Sequence, residues 1–378
     1  MAKYELIVTV QDSKTVTART PDDEEADASF AMDPLTRRTI AIFEGWLRNG
    51  KITHSSELQV LGMHLYRAIF NGAVEDLFKT IFRKAQGQQE RLRVQLSFKP
   101  NAGELASLPW EYLFSPDTDT EPGFCFATAL TLVLSRYMPS TTKRDETLLS
   151  SDDKLRILVV VSQPTDLGPV IFEPVIEQIE KLKEQLPIEL TVHTDTTLDS
   201  LVDKIEEVKP NVVHFIGHGR FNRDEAQGQI ALLAAVTNLA EWCADDQFAS
   251  VFTQVRVRPR LVFLHLCESA TVELSAFSAT FAGLAPKLIQ AGIPAVLAMQ
   301  YPISNLAAIA FSKAFYESLG KRDPIDDAVQ KGRFRITTRV AGALNSRVFG
   351  TPVLYMRSRD GVLLLQNSPL AGTAGGQP

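Results

Sequence analysis

Two short segments of the 378-residue chain bring together side chains capable of covalent chemistry. In the first, the apolar run from Val212 to Ile216 leads into Gly217-His218-Gly219. In the second, the run from Leu261 to Leu266 leads into Cys267-Glu268-Ser269-Ala270. A thiol is a strong nucleophile only as thiolate, and an imidazole is suited to accept its proton near neutral pH. Glycines flanking His218 read as a turn that lets backbone approach a substrate closely. The Gly219 N–H then suits a developing oxyanion, with the Cys267 N–H as second donor. A plain reading stands beside this one: strand-end histidines are often structural, and a lone buried cysteine behaves as a small hydrophobe. The occurrence of both at strand ends of one α/β segment makes His218 and Cys267 a candidate pair.

The other cysteines and histidines are weighed the same way. Cys125 and Cys243 read as packing residues, and three widely spaced cysteines make no disulfide framework. His214 lies four residues before His218 on the same strand and reads as a satisfied core or supporting histidine. A zinc site from His214, His218, His265 and Cys267 is conceivable, but the spacings match no tight ligand pair; no metal or cofactor is expected.

Positioning such a pair needs an open sheet whose strand ends converge. The apolar runs at Leu155–Val161, Val212–Ile216, Leu261–Leu266 and Ala295–Met299 are what parallel strands covered on both faces require. Helical patterns alternate with them: Val175–Leu186, Leu198–Val208, Phe281–Gln290, Ser304–Leu319 and Ile325–Ile336, followed by a last strand at Val353–Met356. The predicted fold is α/β, a mostly parallel sheet with helices on both faces. A smaller α+β domain precedes it, with strands Tyr4–Val10, Leu92–Phe98 and Ala129–Tyr137 and helices beginning at Pro34, at Ser55 or Ser56, and at Val74. Leu92–Phe98 alternates apolar with polar, which predicts an antiparallel setting with one solvated face, and Asp22 to Asp27 reads as an acidic loop. The expected domains are residues 1–138, a polar linker 139–153, an α/β domain 154–366 and a disordered tail 367–378.

Composition excludes several function classes. Lys and Arg number 39 against 45 Asp and Glu, a formal charge of −6 that argues against direct nucleic-acid binding. No apolar run is long enough for a membrane span, and the first ten residues alternate as a secretion signal does not. A cytoplasmic location is expected, where a free thiol stays reduced.

The segments VVHFIGHG (Val212–Gly219) and LVFLHLCESA (Leu261–Ala270) resemble those of the CHAT proteases, caspase-like bacterial proteins of the clan that holds caspases, metacaspases and separases. LASLPWEYLF (Leu105–Phe114) and the strand ending LSRYM resemble the N-terminal portion common in these chains. Phe281–Ser304 and Phe349–Gly361 resemble their C-terminal portion. The resemblance implies a cysteine endopeptidase with His218 and Cys267 as catalytic dyad, backbone amides of Gly219 and Cys267 as oxyanion hole, and no obligatory carboxylate. It also implies a protein substrate, and activation by a regulatory protein partner or by processing. The segments Phe221–Gln229 and Asn238–Ser250, which lie between the two motifs, read from their length as candidate mobile loops. Ser-Ala usually precedes the family's cysteine, and His265-Leu266 stands here instead. Relatives in the clan line the pocket for the residue before the cut with the side chain two before the nucleophile. That position is His265, which shares a strand face with Cys267. An imidazole there supplies no fixed negative charge and becomes cationic toward pH ~6.5, so a neutral or acidic substrate side chain is expected unless Asp245 or Asp246 reaches the pocket. Rival roles for His265 are general base and packed structural residue. Other readings of the chain are a catalytically silent scaffold that binds a partner protein, and a thiol acyltransferase or non-peptide hydrolase.

Overall fold

The computed structural model describes residues 4–118, 122–139, 154–222, 224–225, 227–267 and 283–364, with backbone alone at Leu266 and Cys267. The N-terminal half runs β1 (Tyr4–Val10), β2 (Thr15–Arg19), β3 (Glu25–Ser29), α1 (Pro34–Arg48), α2 (Ser55–Ile69), α3 (Gly72–Gly87) and β4 (Leu92–Phe98). It continues with a single-turn α4 (Gly103–Ala106), the two-residue strands β5 (Phe114–Ser115) and β6 (Phe124–Cys125), and β7 (Leu132–Tyr137). The C-terminal half runs β8 (Leu155–Val161), α5 (Glu173–Lys183), β9 (Ile188–His193), α6 (Leu198–Val208), β10 (Val212–Asn222), β11 (Gln227–Leu233), β12 (Ala240–Ala244), α7 (Asp245–Gln254) and β13 (Leu261–Cys267). Then come α8 (residues 283–290), β14 (Ala295–Met299), α9 (Asn305–Gly320), α10 (Ile325–Arg339) and β15 (Pro352–Met356). Local chemistry starts the helices where expected: at α1 the Asp33 carboxylate accepts from the Thr36 amide at 2.7 Å, and Pro34 takes the first helical position.

Strands β9, β8, β10, β13 and β14 are parallel neighbours, and β15 then runs antiparallel to β14. Alternation along them sorts the core into two layers. Val159, Val212, Ile216, Leu261, Phe263 and Leu297 pack beneath α5, α9 and α10. Leu158, Val160, Val213, Phe215, Val262 and Leu264 pack beneath α6, α7 and α8. A strand covered on both faces must be apolar at every position, which is why these runs carry no alternation.

The two halves expected as separate domains share one sheet. β7 pairs in parallel with β15, setting Arg136 opposite Tyr355, and the sheet continues through β4, β1, β2 and β3. A third core layer lies between β1, β4 and β7 and helices α1 to α3. The linker 139–153, apart from Pro139, and the tail 367–378 lie outside the described residues.

Three sequence expectations need correction. β4 is parallel to both β1 and β7, and is buried on both faces. Its Arg93 and Gln95 are inside because groups from the C-terminal half bond to them. Arg93 pairs with Asp326, while Gln95 donates to the carbonyls of Ser358 and Arg359 at 3.4 and 3.3 Å. The acidic loop is shorter than expected: Asp22 to Glu24 lie between strands, while Glu25 to Asp27 belong to β3, paired with β2. The two candidate mobile segments hold regular structure: Phe221 and Asn222 end β10, Gln227 to Gln229 open β11, and 238–250 holds β12 and the start of α7.

Candidate active site

Strand β10 does not end at Ile216. It continues through Gly217-His218-Gly219 to Asn222, so the expected glycine-flanked turn is extended strand. The reason is a change of neighbour. β8 pairs with β10 over Val212–Ile216 and stops, and β11 then folds back to pair with Gly219–Asn222. His218 sits at the exchange point, beyond the last rung with β8 and before the antiparallel ladder with β11. Gly219 lies inside that ladder, opposite Ile230.

The chain leaving β8 supplies the contact on His218. The Gly168 carbonyl lies 2.7 Å from Nε2 of His218. A carbonyl only accepts, so Nε2 carries a hydrogen, and in the neutral ring Nδ1 is left with the lone pair. That Nδ1 is buried and has no hydrogen-bond partner among the described residues. Gly217 is fixed by packing rather than by a turn. A Cβ there would meet the Phe215 ring at 2.8 Å and the Ser162 carbonyl oxygen at 3.2 Å. Phe215 cannot move aside easily, since it is wedged edge-on against Phe248.

Cys267 is the last residue of β13, and the β10–β13 register sets it opposite His218. Neighbouring strands lie ~4.8 Å apart, so the backbone brings the two residues side by side. The same register pairs Ile216 with His265 and His214 with Phe263.

Beneath His218, on the α9 face, lies a stack of rings. His214 stacks on Phe263 with centroids 4.0 Å apart, and His265 lies 5.8 Å from His214. The Tyr316 hydroxyl of α9 meets Nδ1 of His214 at 2.9 Å. Burial pushes His214 well below the ordinary imidazole range, and pushes His265 down to about 4. The cationic form of His265 expected near pH 6.5 is thus displaced far into acid. Nδ1 of His265 and Nε2 of His214 are buried without hydrogen-bond partners among the described residues.

Asp245 and Asp246 are placed elsewhere. They open α7, on the opposite layer, where both pair with Lys287 of α8 and both accept from Gln227 Nε2, at 3.0 and 2.7 Å. The structure does not bring them to His265. Cys125 and Cys243 are held as thiols: burial pushes them up to about 11 and about 12. Among the described residues no group of three or more His, Cys, Asp or Glu is arranged to hold a metal ion, and no helix is long and apolar enough to cross a membrane.

Sequence reasoning missed Gly168, which acts through its carbonyl and so leaves no side-chain signal. It also missed β11, the strand that turns the His218 segment from loop into sheet.

Comparison with known structures places the fold. One matched chain of the Saccharomyces cerevisiae separase–securin complex aligns with TM-score 0.51 at 11% identity, over 93% of this chain and 30% of that one. A second structure of the complex gives 0.52 with the same identity and coverage, so the present chain spans under a third of the matched one. The Arg-specific cysteine proteinase gingipain R aligns with TM-score 0.46 at 12% identity, over 86% of this chain and 76% of that one. Among curated proteins the chain finds no match. The likeness to the separase–securin chain is one of fold: a mostly parallel sheet with helices on both faces. The CHAT domain model matches residues 59–343, beginning in α2 and running to the turn after α10. With the greater part of its length so matched, the chain belongs to the CHAT-domain family.

Proposed function

We propose that the chain is a cysteine endopeptidase acting on a protein substrate, with Cys267 as nucleophile and His218 as proton carrier. The observation that carries this reading is the β10–β13 register, which sets His218 opposite Cys267 at the open end of the parallel strands. The Gly168 contact supports it, because it orients the ring through a backbone carbonyl and leaves Nδ1 as the basic nitrogen. In this mechanism Nδ1 takes the thiol proton and the thiolate attacks the peptide carbonyl carbon. The amides of Gly219 and Cys267 hold the oxyanion, and Nδ1–H gives its proton to the leaving amine. Water, deprotonated by the same nitrogen, then releases the acyl group from sulfur and restores the thiol. His265, on the same strand as Cys267, lines the site for the residue before the cut in this reading, as a neutral ring.

The reading includes a cytoplasmic setting and control by a bound protein, as separase is found with securin in the solved complex. An electrophilic probe such as a chloroacetamide tests the core of it. Labelling should map to Cys267 and fall steeply in His218→Ala. Equal labelling of the variant would show that the histidine does not activate the thiol, and would overturn the dyad. A randomised peptide library, with and without lysate from the source cells, then separates peptide hydrolysis from acyl transfer. Full-speed cleavage by the isolated chain would remove the requirement for a partner.

A further inference from the structure

Two residues beyond His218 on β10, Arg220 is held in a way that the dyad does not require. Its guanidinium carbon lies 4.0 Å from the centre of the Trp242 ring on β12. Its Nε donates to Oε1 of Gln229, its register partner on β11, at 2.7 Å. The stacking contact and the Nε bond together fix the plane of the guanidinium. The terminal nitrogens, Nη1 and Nη2, have no hydrogen-bond partner among the described residues, and no carboxylate there forms an ion pair with Arg220. The acid that acts on it is Glu225, which is engaged with Gln229 instead, Nε2 to Oε2 at 3.4 Å.

Strand alternation puts Arg220 on the same face as His218, about 7 Å further along. The opposite face of β11 and β12 is the one α7 covers. Arg220 is half-buried, so water screens its charge less than it would at a fully exposed arginine. An arginine whose stem is pinned and whose outer edge is unused suits the bidentate geometry of a carboxylate. His265 lies on β13, across β10 from β11, so the two positions serve different parts of a bound chain.

We infer that Arg220, braced by Trp242 and Gln229, binds an acidic side chain of the protein substrate within two residues of the cleaved bond. The inference rests on the endopeptidase reading for its placement beside a cut, but recognition of the carboxylate does not depend on turnover. It is therefore tested by binding as well as by cleavage. In the binding arm, Cys267→Ala protein is titrated with fluorescein-labelled peptide libraries carrying either Asp and Glu, or Asn and Gln, at successive fixed positions. At one position the acidic libraries should bind about tenfold tighter, a preference worth ~1.4 kcal/mol. Arg220→Gln should abolish that preference, and Arg220→Lys should retain only part of it. Unchanged thermal melting of the variants and unchanged binding of the amide libraries separate recognition from folding. In the cleavage arm, Arg220→Gln with the dyad intact should lose the acid preference while keeping turnover of amide peptides. Acid preference in binding without any cleavage, whether or not lysate from the source cells is added, would leave the subsite standing and sink the endopeptidase reading. Cleavage or binding with no acid preference at any position, or a preference that survives Arg220→Gln, would overturn the role of Arg220.

Discussion

Gly168 reaches back across 50 residues of chain to place its carbonyl 2.7 Å from Nε2 of His218. The contact joins the segment leaving β8 to the point where β10 loses β8 as its neighbour. One backbone oxygen thereby sets which ring nitrogen keeps its lone pair. Among the described residues no side chain hydrogen-bonds to the imidazole.

The dyad makes the sharpest prediction. Cys267→Ala and His218→Ala should each lower turnover by at least ~10³-fold, and the double variant should lose little more, because the two act as a unit. Cys125→Ser and Cys243→Ser should keep most activity, since burial holds both thiols protonated at neutral pH. Turnover of a fluorogenic peptide alongside thermal melting checks all five proteins.

Gly217→Ala should damage the site without touching either catalytic side chain. The added methyl would sit 2.8 Å from a Phe215 ring carbon and 3.2 Å from the Ser162 carbonyl oxygen. Relieving that overlap should cost about 1–3 kcal/mol and displace the segment that carries His218. Urea unfolding should register the lost stability, and kcat should fall more than KM rises. A variant as stable and active as the parent would show that β8 and β10 are not packed this closely.

Glu111→Gln should weaken the joint between the two halves. Glu111 grips Arg136 of β7 with both oxygens, at 2.9 and 2.6 Å, and accepts from Gln300 beyond β14 at 3.1 Å. Removing the carboxylate charge leaves Arg136 buried beside a neutral amide, a loss of ~3–5 kcal/mol for a broken buried pair. Chemical unfolding at neutral pH measures it. The companion change Arg136→Met with Glu111→Leu, which removes both charges, should recover much of the loss.

Acid should destabilise the fold through the stacked histidines. The folded-state pKa of His265 is about 4, below its unfolded value of ~6.5, because burial penalises the cation. Between those values the unfolded chain binds more protons than the native one, so stability is full above pH ~6.5 and is lost as pH falls toward 4. His214 is shifted in the same direction. His265→Asn should flatten the decline in unfolding free energy across that window by up to ~3 kcal/mol at its acid end. An equally steep decline in the variant would mean that His265 is not buried as a neutral ring.

Much of the framework was determined by the sequence alone. The strands β1, β4 and β8 and helix α1 fall where alternation, apolar runs and an Asp-Pro cap put them, because these signals act within one element. The candidate pair was legible too: each residue follows an apolar run, and in a parallel sheet such runs end together. What the tertiary structure decided depends on neighbours distant in the chain. Arg93 and Gln95 look solvated in sequence, yet Asp326 and the carbonyls of Ser358 and Arg359 make their burial affordable, and only folding brings those partners to β4. His218 looks like a turn residue because glycines flank it, yet β11 pairs with the residues just beyond it and draws the segment into the sheet. Asp245 and Asp246 read from the sequence as candidates for the substrate pocket, yet α8 delivers Lys287 to both on the opposite layer. A backbone hydrogen bond, an ion pair or a close glycine contact is a property of two segments at once, and a single run of residues carries no record of its partner.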